Sequence, residues 1–301
     1  IEMILKEYPD IGWKVLMNLM PNVQRNSMPI CKPKWNGVPE EEPVVTVGEL
    51  QKENNEYVKL AIEYSCGKIE RIKDLINVMD DIPKELFDKI YATVTSEDVV
   101  RLSDDEKYVL WEENEKLIAK HKKFAKSEWA LPKEAVEKLE KMSEIIKPCS
   151  SKTYLKRTFD GEYWDLYDSE KETYDELEKR IMNAQIEAVK VILKDGMEAL
   201  IDFSYNVKDS IKVGIALAHI DITPEDEEKI ILLFNEDSCM IAKGYVRYKY
   251  NKDGLKWLKS IQKIQLTDKG KTNLLTQLPN NENSWKIAGE WLKENEIEYW
   301  K

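Results

Sequence analysis

The sequence predicts an all-α fold, an irregular α-solenoid of antiparallel helix pairs. Three observations carry that prediction. Charged residues make up 34% and hydrophobic residues 42% of the chain, while Gly and Pro are scarce at 11 each, which is the composition of helices with charged outer faces. Apolar residues recur at helical spacing. Helix starts and stops follow one another closely, so successive helices must pack as antiparallel neighbours.

The chain opens in an apolar-periodic stretch, "IEMILKEYPDIGWKVLMNLM". A long connector follows, Pro21 to Val45, and loops of this length without secondary structure are uncommon and often functional. Thr46-x-x-Glu49 fits a capping box, in which the hydroxyl and the carboxylate satisfy orphan N–H groups at a helix start. The run "YVKLAIEYSC" stops at Gly67, the αL-tolerant residue expected after a helix. Ser103-x-x-Glu106 and Ser169-x-x-Glu172 repeat the capping signature, and Pro148 punctuates the stretch between them. The run from Glu170 to Lys194 carries a core stripe at Leu177, Ile181, Ala184, Ala188 and Ile192, closed by Asp195-Gly196. Thr223-Pro224 places a cap before a proline at the first helical position.

"GYVRYKY" (Gly244 to Tyr250) alternates like a strand, but Ile241, Tyr245 and Tyr248 also fall at i, i+4 and i+7, and it reads as helix. Asp253-Gly254 and Pro279 punctuate the remainder. The expected total is about twelve to fourteen helices in a single TPR- or HEAT-like array over residues 1–301, with a soft boundary near 148–168 and no exact repeat period.

The net charge of −11 is spread evenly: residues 1–150 carry 23 basic and 29 acidic residues, and residues 151–301 carry 23 and 28. That balance argues against direct nucleic-acid binding, which needs a basic face. The nearest basic cluster is Lys120, Lys122, Lys123 and Lys126, read as a solvated helix face. No apolar run approaches the ~20 residues of a membrane span. The four cysteines, Cys31, Cys66, Cys149 and Cys239, form no CxxC pair, and the only histidines are His121 and His219. A zinc site is not expected, and the thiols read as reduced cysteines of a cytoplasmic chain. No cofactor is expected in this segment.

Gly270-Lys271-Thr272 has the end of a P-loop, but the first glycine of that motif would fall on Gln265 and no strand precedes it, so a helix start near Thr267 or Lys269 is the better reading. Neither His121, in a Lys-rich helix, nor His219, after "VGIALA", has the context of a catalytic base, and no catalytic residue is assigned. The acidic groups Asp80-Asp81, Asp104-Asp105 and Glu40 to Glu42 carry little weight among 57 acids, and Pro9-Asp10 lacks the strand and the E-x-K partner of a nuclease motif. Of the nine tryptophans most read as wedges between helices. Trp35 differs, because it sits in the long connector beside Lys32 and Lys34: either it plugs the loop onto the helices or it faces a partner, and these three are the candidate partner-binding residues.

Three stretches carry a family resemblance: "PDIGWKVLMNLMP" with the following "CKPKW", then "GYVRYKYNKDGLKWL", then "LLTQLPNNENSWKIAGEWLKENEIEYWK". They resemble segments of the helical-repeat sensor region in large bacterial antiviral STAND NTPases of the AVAST type. Similar arrays follow other amino-terminal effectors, including sirtuin-like ones. The chain departs from that pattern at Cys31, where a His is expected, and at Asn283-Ser284-Trp285, in place of a Pro-Glu-Thr-Trp helix start.

The resemblance implies that the array binds a viral (phage) protein and thereby activates a nucleotide-binding core and an effector elsewhere in the parent protein, with homo-oligomerisation on activation. The parent protein, not this segment, would be the enzyme. It also implies that Ile1 and Trp300, apolar residues where a solenoid needs polar caps, mark cuts from a larger protein. The rival expectations are a purely structural helical spacer and a divergent metal-dependent nuclease.

Overall fold

The computed structural model describes residues 1–21, 46–160, 173–236 and 240–300. Every regular element among them is helical, and the fold class is all-α. The chain divides into two compact units, Ile1–Cys149 and Ser150–Lys301.

The first unit contains α1 (Glu2–Glu7), α2 (Pro9–Leu19), α3 (Val47–Ser65), α4 (Ile69–Asn77), α5 (Lys84–Val94), α6 (Glu97–Val100), α7 (Asp104–Lys123) and α8 (Lys133–Ile146). The second contains α9 (Ser151–Tyr154), α10 (Tyr174–Leu193), α11 (Met197–Tyr205), α12 (Ser210–Leu217), α13 (Pro224–Leu232), α14 (Met240–Ile261), α15 (Asp268–Leu275) and α16 (Glu282–Leu292). Sixteen α-helices among the described residues exceed the twelve to fourteen expected, for identifiable reasons. The opening apolar stretch splits because Pro9 drives Tyr8 out of helical geometry (φ −135, ψ 72) and starts α2 itself. The single-turn helices α6 and α9, four residues each, are too short to show a period.

The caps at Thr46 and Ser103 form as complete boxes, with Glu49 and Glu106 reaching back to the cap N–H groups at 2.9 Å. Ser169 and Glu172 lie outside the described residues, and α10 starts instead from a box of Thr173 and Glu176. Gly67 (φ +71) and Gly196 (φ +100) take the left-handed conformations that stop α3 and the α10 turn. On α10 the stripe Leu177, Ala188 and Ile192 is buried, with Ile181 and Ala184 half-buried.

In the first unit α2 packs on α3, α3 on α4 and α5, α4 on α7, and α8 on both α5 and α7. The buried Arg71 guanidinium of α4 donates to the Tyr64 and Pro9 carbonyls at 3.0 Å and lies 5.0 Å from the Trp13 ring centre. Trp13 Nε1 donates to Asp74 at 2.7 Å. One buried cation therefore holds the ends of α2, α3 and α4 together. Asp10 belongs to this junction, 3.4 Å from Arg71, which is the structural reading of Pro9-Asp10.

The second unit is built around a close crossing of α12 and α14. A Cβ on Gly214 would stand 1.9 Å from the Ile241 carbonyl oxygen, and one on Gly244 would stand 2.1 Å from the Ile211 carbonyl oxygen. The contact is reciprocal, between Ile211-x-x-Gly214 and Ile241-x-x-Gly244, and it lets the two backbones touch. The "GYVRYKY" stretch is helical, as expected. Gly254 (φ +61, ψ −147) then interrupts α14. The Tyr245 and Trp257 ring centres lie 6.2 Å apart, whereas residues twelve apart in a straight helix are separated by ~18 Å. The chain thus folds back at Gly254. Tyr245 and Trp257 both donate to Glu227 Oε1 at 2.8 Å, which ties the two arms of the bend to α13. Burial and the Glu227 contact push the Tyr245 hydroxyl far above its usual pKa, so it stays a donor.

No helix among the described residues is long and apolar enough to cross a membrane.

Gly214→Ala is expected to lower the stability of the chain by roughly 3 kcal/mol or more, since backbone and not a flexible side chain must move. Gly48→Ala, near the start of α3 with nothing within 4 Å of the added carbon, should be neutral or stabilising by up to about 1 kcal/mol. Urea unfolding of the two variants checks both; equal midpoints would contradict the crossing.

Candidate recognition surface

The last turn of α7 carries most of the basic cluster, and the connector to α8, residues 124–132, adds Lys126, an exposed tryptophan and the wall of an apolar groove. Its position is set by His121 in the last turn of α7. That ring is 1% exposed. The Leu131 N–H donates to Nδ1 at 3.0 Å, so Nε2 carries the proton, and it faces Asp80 Oδ2 at 3.2 Å. Lys120 Nζ reaches the same carboxylate oxygen at 2.5 Å. Burial alone would raise the Asp80 carboxyl, but the hydrogen bonds from His121 and Lys120 outweigh it and hold the group below its usual 3.8.

A His–Asp pair can suggest general-base chemistry. Here both ring nitrogens are engaged, one by a backbone amide, and the ring is sealed from solvent. His121 is a clasp that fixes the connector against the helix. His219, two residues past α12, stacks on Tyr248 with ring centres 4.2 Å apart; burial and then Lys252 lower its pKa.

Trp129 is 47% exposed although its geometry is fixed. Its ring meets His121 edge-on at 5.7 Å, Phe124 at 5.4 Å and the Lys120 ammonium at 5.5 Å. Beyond it, Leu131 and Pro132 form one wall of a groove of about 250 Å³ between α5 and α8. Ile82, Phe87 and Ala135 complete its apolar lining. Lys138 bonds Asp88 across it at 2.5 Å. In the Lys120 to Lys126 cluster Lys120 and Lys122 are about half exposed, as expected of a solvated helix face. Lys120 and Lys122 pair with Asp80 and Glu140, each at 2.5 Å, and Lys123 lies over Phe124. Sequence reasoning missed this surface because Asp80 and His121 are 41 residues apart. The available signal was a tryptophan and a proline directly after a basic helix end.

The candidate residues Lys32, Lys34 and Trp35, with Cys31, Trp164 and Cys239, lie outside the described residues. Gly270-Lys271-Thr272 lies in the first turns of α15, capped by Thr267: the Gly270 N–H donates to the Thr267 hydroxyl at 3.0 Å, and the missing Cβ makes room for Asn235. Asp104 accepts the Cys149 N–H at 3.0 Å. Cys66 and Cys149 are exposed free thiols. Among the described residues no group of three His, Cys, Asp or Glu side chains is placed to hold a metal. Trp13, Trp111 and Trp257 are buried, whereas Trp129, Trp285 and Trp300 face solvent.

No protein family, no curated protein and no solved structure matches the chain.

Asp80→Asn is expected to cost roughly 1–2 kcal/mol at neutral pH. The folded carboxyl titrates lower than the unfolded one, so its contribution is present above about 3.9 and fades as pH falls through the lower folded value. Denaturation of variant and parent should therefore differ at pH 7 and converge toward pH 3. A constant difference would contradict the charge-assisted contacts.

Proposed function

We propose that this chain is a protein-recognition segment of a larger cytoplasmic bacterial defence protein. It binds a viral protein and passes that event to a nucleotide-binding core and an effector outside these residues. The observation that supports it best is Trp129, a large aromatic held rigid by three neighbours, half exposed, beside an apolar groove. Rigid aromatics next to a pocket are the usual anchors of protein interfaces, because little side-chain freedom is lost on docking. The resemblance of three segments to sensor arrays of antiviral STAND NTPases supports the same reading, including its solenoid arrangement. Recognition spread over helix faces needs no cofactor in this segment.

A tagged chain incubated with lysates of phage-infected and uninfected bacteria should retain one viral protein, near stoichiometric amount, from infected cells alone. Trp129→Ala should reduce that retention by about tenfold or more. A chain shown by circular dichroism to be folded that retains nothing would favour a structural spacer. Retention indifferent to Trp129 would move the surface elsewhere.

A further inference from the structure

We infer that the bent helix α14 presents a basic surface that binds the phosphate backbone of a nucleic acid without reading its sequence. This goes beyond recognition of a viral protein and gives the chain a second class of partner.

The even charge of the two halves conceals one strongly basic run. Residues 243–271 hold nine basic residues against two acidic ones, a net charge of +7 in a chain of −11. Both acids have a lysine of the run beside them: Asp253 lies 3.4 Å from Lys249, and Asp268 lies 3.1 Å from Lys271. Among the described residues, Lys243, Lys252, Lys256, Lys259 and Lys263 have no carboxylate partner. Arg247 is exposed and donates to the neutral amide of Gln277 at 3.1 Å.

Packing sorts these cations to the outside. After the bend at Gly254, Trp257, Leu258 and Ile261 are buried, while Lys256, Lys259 and Lys263 are exposed at i, i+3 and i+7. That spacing puts the three lysines on one face of a helix. They cover about 10 Å of helical rise, roughly the length of three phosphates along one strand. Before the bend, Ile241, Ala242, Tyr245 and Val246 are buried, and Lys243 and Arg247 fall at i and i+4 on the other side. The bend keeps the two rows near each other, with the Tyr245 and Trp257 ring centres 6.2 Å apart. In a straight helix residues 243 and 263 would be about 30 Å apart.

The chemistry favours phosphate over other anions. Solvated lysines without carboxylate partners let counterions leave when a phosphate chain binds, and that release supplies affinity without sequence. The acidic remainder of the chain repels a strand at a distance, but its field fades within about 8 Å at physiological salt. A polypeptide partner would need apolar anchors. On the second arm the apolar residues go into the core, and of its large ones only Leu255, 40% exposed, faces outward. An interfacial membrane helix needs that same apolar face free.

Fluorescence anisotropy of the full chain with labelled probes tests this. The probes are single-stranded RNA, single-stranded DNA and duplex DNA of mixed sequence and about 20 nucleotides, with polyglutamate as the carboxylate control. At about 50 mM NaCl a nucleic acid should bind with a Kd of about 10 μM or tighter, indifferent to sequence, and log K should fall linearly with log[NaCl]. Joint replacement of Lys256, Lys259 and Lys263 by Glu should weaken binding by about tenfold or more and make the salt slope shallower by about 2 to 3. Joint replacement by Gln, which adds no repulsion, should make the slope shallower by the same amount. Glu at the exposed Lys14, Lys89 and Lys141 changes the net charge equally and should leave the slope as it is. The tighter of the three nucleic acids identifies the strand form and supports the inference. No binding of any nucleic acid at about 50 mM NaCl overturns it, as does equal binding of polyglutamate. A slope unchanged by the Gln variant, or lost equally in the Lys14, Lys89 and Lys141 variant, overturns it as well. Stronger retention on phosphatidylserine vesicles than on every nucleic acid would assign the surface to a membrane and end the inference.

Discussion

A buried imidazole with both nitrogens engaged is the contact on which the proposed surface depends. His121 accepts from the Leu131 backbone on one side and faces Asp80 on the other. A buried polar ring is costly unless its hydrogen bonds are made. Making them here forces three separate pieces of chain into register: the 3-10 turn Met79–Asp81, the end of α7 and the connector into α8. Once Leu131 is fixed, Pro132 and the start of α8 follow, and Trp129 is pressed against the His121 edge. The exposed aromatic and the groove wall are thus consequences of a polar contact that is itself out of reach of solvent.

The second unit solves a different problem. Its central pair, α12 and α14, touches backbone to backbone because Gly214 and Gly244 leave no side chain between them. Close approach brings many dispersion contacts, each small, into play at once. Gly254 then turns the chain back, and Glu227 secures the turn by accepting from both Tyr245 and Trp257. Two kinds of glycine are at work: two that permit contact and one that permits a positive φ.

Much of this was legible in the sequence, and the boundary is physical. Local rules read well. The boxes at Thr46 and Ser103, the Thr223-Pro224 start and the stops at Gly67 and Gly196 all involve residues within four positions of one another. Helical period also decided correctly against a strand in "GYVRYKY". What escaped was non-local. The mid-helix glycines at 214 and 244 were visible, but their mutual contact spans 30 residues of chain. The His121–Asp80 pair spans 41. The connector 124–132 carries no local signature as marked as the length of the earlier one, with Lys32, Lys34 and Trp35, because its place depends on the distant Asp80. Cap geometry shows where a helix begins, and says nothing of which helix it will meet.

The surface around Trp129 joins an exposed aromatic held by three neighbours to an apolar groove close by in the chain. The measurement that tests this most directly is hydrogen–deuterium exchange of the chain, alone and with a protein captured by it from lysate of phage-infected bacteria. The account predicts slowed exchange in the end of α7, the connector 124–132 and the first turns of α8. Slowing confined to other helices, with the connector unchanged, would contradict it.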